Sequence, residues 1–560
     1  MFLIIILTYF SAITLAQIIE LKEGKVRGFE YKTSKGEVAE IFLNIPYASP
    51  PVGDLRFEKP RSPSPWADIL NGTIFGAKCT PFVTLKDDDT ASEDCLTLNI
   101  IRPKRKAPAS EVGFPILFWI HGGAYKSFSA VECGYKSLAD TYTNRAVIIV
   151  TIQYRLGIYG FFSTGDELMP GNLGLLDMAE ALKFVHSNAL NFGGDPSRIT
   201  VWGQGAGGAA AGQLALSPLT RDMVARSIEM SGSPWASWAI GSSVVDNSLR
   251  LAKFLECTKD IKACMKQKTT KEIKKAIIEM DDLNIVRWGP VIDGLFLQHP
   301  DEMAENAPRK VSIIGVTAKE AALFTVVGPP FWKNFKIDPA DFPKWNRQTL
   351  IEKLTKYVKA IYVGKNLQKV TDKVLAYYVD RDEEENSDFY LDRYTEFLSD
   401  LFFNVPAVEG ILSRVKAAHW EIYAYIFDHY GEVPWEEKIP KRLRRATHSS
   451  EFPFAIGVDE LLDLGMTLKP EQQKFADYFG ESFAEFAVEA HPLNHQKLWL
   501  EISEDPSIRY MNMSSIYELK KGFFKEASSF WQKLRKHGYD MVKMLPLRKI
   551  KKAAHTKEEL

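Results

Sequence analysis

The chain lacks an excess of charge of either sign. Its 560 residues contain 70 Lys and Arg against 71 Asp and Glu, so the formal net charge is −1. Binding to nucleic acid or to an anionic membrane through the overall field of a protein requires a clear positive excess. The near balance therefore argues against both kinds of partner. The apolar content of 46% is ordinary for a folded globular protein.

Long apolar runs are nearly absent. Residues 1–16 form one such run, which is too short for a membrane span and ends at Thr14-Leu15-Ala16 before Gln17, as a cleaved signal peptide does. No positive charge precedes the run, so a buried N-terminal strand is the alternative. Later segments hold no stretch of about 18 uninterrupted apolar residues. We expect a signal peptide over residues 1–16 and a soluble protein without a membrane span.

Cysteine is scarce, with five residues in the whole chain. Entry into the secretory pathway exposes thiols to an oxidising compartment in which disulfides form. Cys79 with Cys95 and Cys257 with Cys264 would each close a short loop, and we expect these two disulfides. Cys133 is left over, most simply as a buried thiol.

Two further features suit an exported or luminal protein. Asn71-Gly-Thr and Asn512-Met-Ser are glycosylation sequons, so we expect glycans on Asn71 and Asn512. Residues 557–560 read Lys-Glu-Glu-Leu, a near relative of the Lys-Asp-Glu-Leu retention signal. We expect residues 546–560 to form a basic tail that a retention receptor binds. This places the protein in the endoplasmic reticulum lumen, with secretion as the alternative.

Apolar runs of strand length alternate with runs of helical periodicity. Such alternation favours an α/β fold with a large, mostly parallel sheet covered by helices on both faces, and we expect one domain over residues 17–545. The amphipathic, basic stretch from Ser514 onward predicts a helix, and the charge runs Asp380–Glu385 and Lys441–Arg445 predict solvated loops. The predicted strands are Pro115–Ile120, Ala146–Tyr154, Ile199–Trp202, Val311–Val316 and Trp420–Phe427, and the predicted helices open at Gly171 and Ala206.

The stretch from Ile199 to Leu216 combines a buried strand, a glycine-rich corner and a helix. Residues 203–208 of the corner read Gly-Gln-Gly-Ala-Gly-Gly. A strand that turns sharply into a helix is the setting of the nucleophile elbow, G-x-S-x-G. The spacing and the glycines fit this motif, but Gly205 stands where the serine would be.

Seven blocks of the chain, in the right order, resemble the type-B carboxylesterases and cholinesterases, from about Ile18 to about Arg535. This resemblance implies an α/β-hydrolase fold, and the retention-like tail is similar to that of intestinal or liver carboxylesterases of the endoplasmic reticulum lumen. The seven blocks are Asn44–Phe57, Glu93–Asn99, His121–Tyr125, Gly171–Asp177, Asn191–Gly208, Gly315–Phe324 and His448–Gly457.

In that family a serine attacks the ester carbonyl, a histidine accepts its proton, and an acidic residue orients the histidine. The resemblance implies that Gly205 occupies the nucleophile position, Glu320 that of the acid and His448 that of the histidine. It also implies an oxyanion hole, whose donors are the backbone N–H groups of three residues. These residues are Gly122, Gly123 and Ala206. We expect no cofactor and no metal.

Glycine at position 205 removes the atom that would be acylated. Gln204 is a second departure, because the family usually has an acid there. The two changes predict a pseudo-esterase of the secretory pathway. Such a protein would bind a small hydrophobic ester-like ligand or a protein partner without hydrolysis.

Two alternatives stay open. In the first, Ser449 or a water activated by His448 serves as the nucleophile of an active carboxylic ester hydrolase. In the second, more remote one, residues 203–208 are read literally as G-x-G-x-x-G. Glu229 then follows at about the spacing of the ribose-binding acid, which is the fingerprint of a dinucleotide site.

Overall fold

The computed structural model describes residues 17–82, 88–280, 286–328, 335–380, 386–418, 420–429, 437–457, 468–493, 499–502 and 507–547. The expected signal peptide, residues 381–385 of the first charge run and residues 548–560 of the expected tail lie outside the described residues. The domain limits drawn from the sequence therefore stay predictions.

An eleven-stranded mixed sheet forms the centre of the molecule, in the order β1-β2-β3-β5-β4-β6-β7-β8-β9-β10-β11. The strands from β5 through β10 pair in parallel, and the pairs at either end are antiparallel. In chain order the strands are β1 (Phe29–Lys32), β2 (Val38–Pro46), β3 (Thr97–Pro103), β4 (Phe114–Ile120), β5 (Ile148–Ile152), β6 (Gly194–Gln204), β7 (Arg226–Met230), β8 (Val311–Thr317), β9 (Glu421–Phe427), β10 (Arg509–Met513) and β11 (Tyr517–Lys521).

Helices cover both faces of this sheet. They are α1 (Lys136–Tyr142), α2 (Gly157–Phe161), α3 (Leu173–Asn188), α4 (Ala206–Leu216), α5 (Ser237–Ile240), α6 (Val244–Phe254), α7 (Ile261–Gln267), α8 (Thr270–Glu279), α9 (Pro300–Asn306), α10 (Arg347–Ile361), α11 (Leu367–Tyr378), α12 (Ser387–Ser399), α13 (Val405–Ala418), α14 (Phe452–Ile456), α15 (Pro470–Glu489) and α16 (Lys525–Leu534). Wider π-helical turns span Leu323–Val327 and Asp400–Asn404. Small sheets add the strands Ile18–Glu20, Lys25–Arg27, Leu70–Asn71, Lys78–Cys79, Ala91–Ser92, Tyr539–Asp540 and Leu545–Pro546.

The central strands are apolar on both faces, as a covered parallel sheet requires. Every residue of β4 is buried. Successive side chains of a strand point to opposite faces, so Ile116 and Phe118 join the core on one side and Leu117 and Trp119 the core on the other. The predicted α/β fold, with a large and mostly parallel sheet flanked by helices, is confirmed.

Two predictions about local structure are correct only in part. The stretch after Ser514 opens with an edge strand, β11, which pairs antiparallel with β10 before α16 begins. Lys441–Arg445 is only partly solvated, because Lys441 and Arg442 are exposed whereas Leu443 is buried, and two of its arginines bind acids distant in sequence. Arg442 Nε donates to Asp392 at 2.9 Å, and Arg445 Nε donates to Asp428 at 2.7 Å.

Both expected disulfides, Cys79–Cys95 and Cys257–Cys264, are present. Cys133 is buried and keeps its thiol, which accepts a hydrogen bond from Trp119 Nε1 at 3.2 Å.

The two sequons differ in their surroundings. Asn71 is exposed, whereas Asn512 is half-buried inside β10, between β9 and β11. Within the described ranges, no helix has the length and apolarity to cross a bilayer.

Candidate functional site

The carboxyl ends of β4, β6, β7 and β8 meet at one edge of the sheet, where sites of α/β proteins form. Between β6 and α4 the chain turns at Gly205, with φ 57° and ψ −119°. This conformation suits glycine and costs other residues on the order of 1–3 kcal/mol. The Gly205 N–H donates to Met230 O at 2.8 Å, and its carbonyl accepts from Ala209 N at 3.0 Å. The corner is therefore fixed to both β7 and α4.

Helix α4 packs very closely on the sheet behind this corner. A Cβ at residue 207 would lie 2.0 Å from Ile120 O, and one at residue 208 would lie 2.7 Å from Met230 O. Gly207 and Gly208 thus allow the helix to touch the backbones of β4 and β7. The glycines of this corner are used for packing.

The histidine expected from the sequence is held by the expected acid. His448 Nδ1 lies 2.7 Å from Glu320 Oε2, and His448 N donates to Glu320 O at 3.2 Å. The other carboxylate oxygen of Glu320 accepts hydrogen bonds from Thr317 N at 2.6 Å and from Ser231 Oγ at 2.7 Å. Glu320 is completely buried, and 12% of the His448 side chain is exposed. In the neutral imidazole, Nδ1 carries the ring proton because it faces a carboxylate, and Nε2 is left as an acceptor.

The imidazole of His448 faces the glycine corner. A Cβ at residue 205 would lie 2.9 Å from His448 Nε2 and 3.4 Å from Cε1. Carbon does not approach nitrogen this closely, so any side chain at position 205 would push the ring back by a few tenths of an ångström. The structure thus brings Gly205, His448 and Glu320 together in the order glycine, imidazole, carboxylate.

Gln204 fills the remaining hydrogen-bonding position of the ring. Its side-chain amide nitrogen lies 3.3 Å from His448 Nε2. With Nε2 as an acceptor, the amide is the donor. A Cβ on Gly122 would meet Gln204 Oε1 at 3.0 Å, so the carboxamide lies between the loop after β4 and the imidazole. The sequence marks Gln204 as unusual but gives no signal that it contacts a residue 244 positions away.

The loop after β4 carries two of the expected oxyanion donors. Gly123 has φ 96°, and its carbonyl accepts from Lys126 N and Ser127 N, both at 3.1 Å. Gly123 and Ala206 both line the cavity beside Gly205. Gly122 lies one step further back, against Gln204. The loop and the start of α4 therefore adjoin the same space.

His121, which begins this loop, is structural. Its ring stacks on Tyr154 with 4.4 Å between the ring centroids, and Tyr154 Oη donates to His121 O at 2.8 Å. Complete burial lowers the pKa of His121 to about 4, so the imidazole is neutral at physiological pH.

A cavity of about 200 Å³ opens beside the corner. Lys126 and His448 are its ionisable lining residues, and burial lowers the pKa of Lys126 to about 8. Among the lining residues that the structure describes there is no carboxylate. The lining comprises Gly123, Ala124, Lys126, Ser127, Gln204, Gly205, Ala206, Trp238, Val286, Leu323, Phe324, Phe403, His448 and Ser449.

A second buried carboxyl lies behind the first, a contact that sequence reasoning missed. Ser231 Oγ lies 2.7 Å from Glu320 Oε1 and 3.0 Å from Glu451 Oε1. Burial, with the charge of Glu320 as a further cause, raises the pKa of Glu451 to about 7. In its protonated form, Glu451 can donate to Ser231, which in turn donates to Glu320.

The structure argues against a dinucleotide site at residues 203–208. Glu229, which would bind the ribose, is fully buried and paired with Arg414, with 2.7 Å between Oε1 and Nη2. The guanidinium of Arg414 packs against Trp235 and Trp420, 5.2 and 5.0 Å from their ring centroids. An acid held in this way is not available to a ligand.

A strand, a glycine corner and a helix at the centre of a mixed sheet, facing a histidine held by a buried glutamate, define the α/β-hydrolase class. The sequence model of the Carboxylesterase family matches residues 15–531. The chain belongs to the carboxylesterase family, which confirms the family-level resemblance seen in the sequence.

Several curated proteins match over nearly their whole length. Gut esterase 1 of Caenorhabditis briggsae is 39% identical over 552 residues, covering 96% of each chain. Gut esterase 1 of Caenorhabditis elegans is 38% identical over 543 residues, covering 94% of each. Carboxylesterase 1C of Mus musculus is 30% identical over 550 residues, covering 93% of each.

Proposed function

We propose that this chain is a non-catalytic member of the carboxylesterase family that binds a ligand at the glycine corner. The main observation in support is that the imidazole of His448 faces Gly205. Nucleophilic attack needs reacting atoms about 3–3.5 Å apart. The Cβ direction of residue 205 leads to the imidazole nitrogen, and this residue has no hydroxyl. No acyl-enzyme can form on glycine.

The size of the expected loss follows from serine hydrolases in general. Removing the nucleophile costs about 10⁶-fold in kcat. Backbone donors and substrate binding alone retain roughly 10³–10⁴-fold over the reaction in water. Purified protein should therefore give ester hydrolysis close to the background of an ordinary assay.

Gln204 supports the same proposal. Its amide satisfies the lone pair of His448 Nε2, the atom that would accept a proton from a serine or a water. A water must displace this hydrogen bond before the imidazole can activate it. A glutamate, which the family usually has at this position, offers no such donor when it is ionised.

An active ester hydrolase is the second candidate, because the Glu320–His448 pair is complete and Ser449 lines the cavity. Reaction of the purified chain with a fluorophosphonate probe separates the two. We expect no covalent labelling of the natural chain. Labelling at Ser449, or turnover of 4-nitrophenyl butyrate that is lost in His448→Ala, would establish the hydrolase instead.

Substitutions at residues 204 and 205 test whether the other residues of the site could still support ester hydrolysis. Gly205→Ser combined with Gln204→Glu should be labelled by the probe and should hydrolyse the aryl ester. Gly205→Ala carries the same added Cβ without a hydroxyl and should do neither. An inert double variant that is folded would show that more than these two positions separates the chain from an esterase.

We further propose that the protein resides in the endoplasmic reticulum lumen. The two disulfides suit an oxidising compartment, and the sequence of residues 557–560 suits retention. Full retention in cells, with secretion after removal of these four residues, is the expected result. Because Asn71 is exposed, we expect it to carry a glycan, which Asn71→Gln should remove. Secretion of the unaltered chain would favour the alternative location.

A further inference from the structure

The segment Leu249–Ile278 has a local excess of positive charge that the whole chain lacks. It contains nine Lys and Arg against three Asp and Glu, whereas the formal net charge of the 560 residues is −1. It comprises the second half of α6, all of α7 and nearly all of α8. A strong asymmetry of charge along a chain indicates that one part of the surface meets a partner of opposite charge. The overall balance of charge therefore does not exclude an anionic partner at this one place.

Helices α6 and α8 pack side by side. Arg287 joins them, because its Nη1 donates to Ile277 O at 2.6 Å and its carbonyl accepts from Asn247 Nδ2 at 3.4 Å. The start of α6 therefore lies beside the end of α8, so Leu249 and Ile278 occupy the same end of the helix pair. Each helix buries one apolar face against the body of the molecule, and the two exposed faces are adjacent.

The exposed faces combine lysines with large apolar side chains. We call the following six residues the α6–α8 surface: Leu249, Lys253, Phe254, Lys271, Lys275 and Ile278. The three apolar side chains are 41%, 53% and 50% exposed, in that order. The three lysines are exposed, and among the described residues none of them takes part in an ion pair. Lys262 and Lys266 of α7 differ, because both bind Glu58, at 2.8 and 2.7 Å.

Two of the three acids in this segment are engaged at helix ends. Asp260 accepts a hydrogen bond from Ala263 N at 3.1 Å at the start of α7, and Glu272 accepts one from Thr269 N at 2.8 Å at the start of α8. The positive end of a helix dipole partly offsets the charge of a carboxylate in this position. The lysines therefore dominate the charge of the α6–α8 surface.

The helix pair adjoins the cavity beside the glycine corner. Val286 lines that cavity, and Arg287, the next residue, binds both helices. Trp288 Nε1 donates to Ser248 Oγ in α6 at 3.2 Å. One segment of three residues therefore runs from the cavity wall to the helices that form the α6–α8 surface.

We infer that the α6–α8 surface binds an anionic lipid bilayer. Lysines near a bilayer are attracted by its acidic headgroups, and exposed aromatic or aliphatic side chains between them enter the boundary between headgroups and acyl chains. A sulfated polysaccharide would neutralise the lysines but would leave Phe254 and Ile278 in water. The combination of charge and exposed apolar side chains thus favours a bilayer. The inference is independent of whether the chain hydrolyses esters.

Cosedimentation of the purified natural chain with vesicles tests this inference. One set of vesicles is phosphatidylcholine alone, and the other contains about 30% phosphatidylserine. At about 0.1 M NaCl we expect the chain to bind the anionic vesicles at least about tenfold more tightly than the neutral ones. At about 1 M NaCl this preference should disappear, because the Debye length falls from about 10 Å to about 3 Å.

A triple variant identifies the charges. Each lysine near an anionic bilayer is worth about fivefold in affinity. Lys253→Gln combined with Lys271→Gln and Lys275→Gln should therefore weaken binding to the anionic vesicles by about a hundredfold. The matched control replaces with Gln three exposed lysines on α3, α15 and α16 and should leave binding within about twofold of the natural chain; these are Lys183, Lys474 and Lys525.

A double variant tests the apolar contribution. Phe254→Ser with Ile278→Ser keeps every charge and removes the side chains that enter the bilayer, so vesicle binding should weaken about tenfold. Binding to immobilised heparin, a polyanion without an apolar phase, should not change. Thermal melting of each variant verifies folding.

Several outcomes would overturn the inference. They are equal binding to neutral and anionic vesicles, no binding to either, an equal loss in the control variant, and retention on heparin by a chain that does not bind vesicles. The last result would assign the surface to a sulfated polysaccharide. None of these outcomes bears on the absence of ester hydrolysis, which probe labelling tests separately.

Discussion

The side-chain amide nitrogen of Gln204 lies 3.3 Å from His448 Nε2, the ring atom that a Cβ at residue 205 would also meet. The residue before Gly205 therefore uses the hydrogen-bonding site that a catalytic serine would use. Two neighbouring positions in the chain act on one nitrogen. Under the proposed function, position 205 lacks the nucleophile and Gln204 occupies the nitrogen that would act as its base.

This contact predicts the order of activity among engineered variants. Gly205→Ser alone should be a weaker esterase than Gly205→Ser with Gln204→Glu, because the amide competes with the new hydroxyl for Nε2. A neutral hydrogen bond contributes about 1 kcal/mol, so we expect a difference of about five- to tenfold in kcat/KM. Hydrolysis of 4-nitrophenyl butyrate measures it. Equal rates in the two variants would show that the amide moves aside without cost.

The conformation of Gly205 predicts a loss of stability on substitution. Gly205→Ala should destabilise the fold by on the order of 1–3 kcal/mol, since φ is 57° and the new methyl group meets the imidazole. Gly193→Ala is the control, because Gly193 has φ 81° and no atom within 4 Å of its Cβ position. Urea denaturation of both variants separates backbone strain from the contact. A smaller loss at position 205 than at 193 would contradict this account.

Glu451 predicts a dependence of stability on pH. Its folded pKa is raised to about 7 from an ordinary value of 4.5, so the folded chain holds a proton that the unfolded chain releases between these values. Its contribution to stability is thus complete below about pH 4.5 and is lost as the pH rises toward 7. Glu451→Gln should gain melting temperature relative to the natural chain between about pH 5 and pH 8. A difference in melting temperature between the two chains that stays constant across this range would argue against a raised pKa of Glu451.

The buried pair Glu229–Arg414 predicts strong coupling between two substitutions. Arg414→Met leaves a carboxylate without its counter-ion and should cost about 3–5 kcal/mol. Adding Glu229→Gln removes that charge and should restore part of the loss. Thermal melting of the two single variants and the double variant measures the coupling. Additive losses would mean that the pair does not stabilise through charge.

Regular patterns in the sequence predicted the centre of the fold well. The run Ile199–Trp202 lies within β6, and α4 begins at Ala206 and ends at Leu216 as predicted, because a buried strand and a glycine-bounded helix are local signals. Strand β11 was missed, since a basic segment of five residues is too short to distinguish a strand pattern from a helical one. Pairing with β10 makes this segment a strand.

The candidate site, like the fold, could be predicted only in part. The positions of Glu320 and His448 follow from the resemblance, and the structure brings them together, while their roles remain a prediction. The contacts of Gln204 and Ser231 could not be predicted. Each depends on side-chain direction across loops far apart in the chain, and spacing carries no information about that direction.

Glu320 hydrogen-bonds the end of β8 through Thr317 N, the residue after β7 through Ser231, and the segment before α14 through His448. The carboxylate thereby ties together three parts of the sheet edge, a task that is independent of turnover. In an active relative with the same connections, replacing this residue would slow the reaction and loosen the scaffold together. The rate lost in that experiment would then exaggerate the share of the carboxylate in proton transfer.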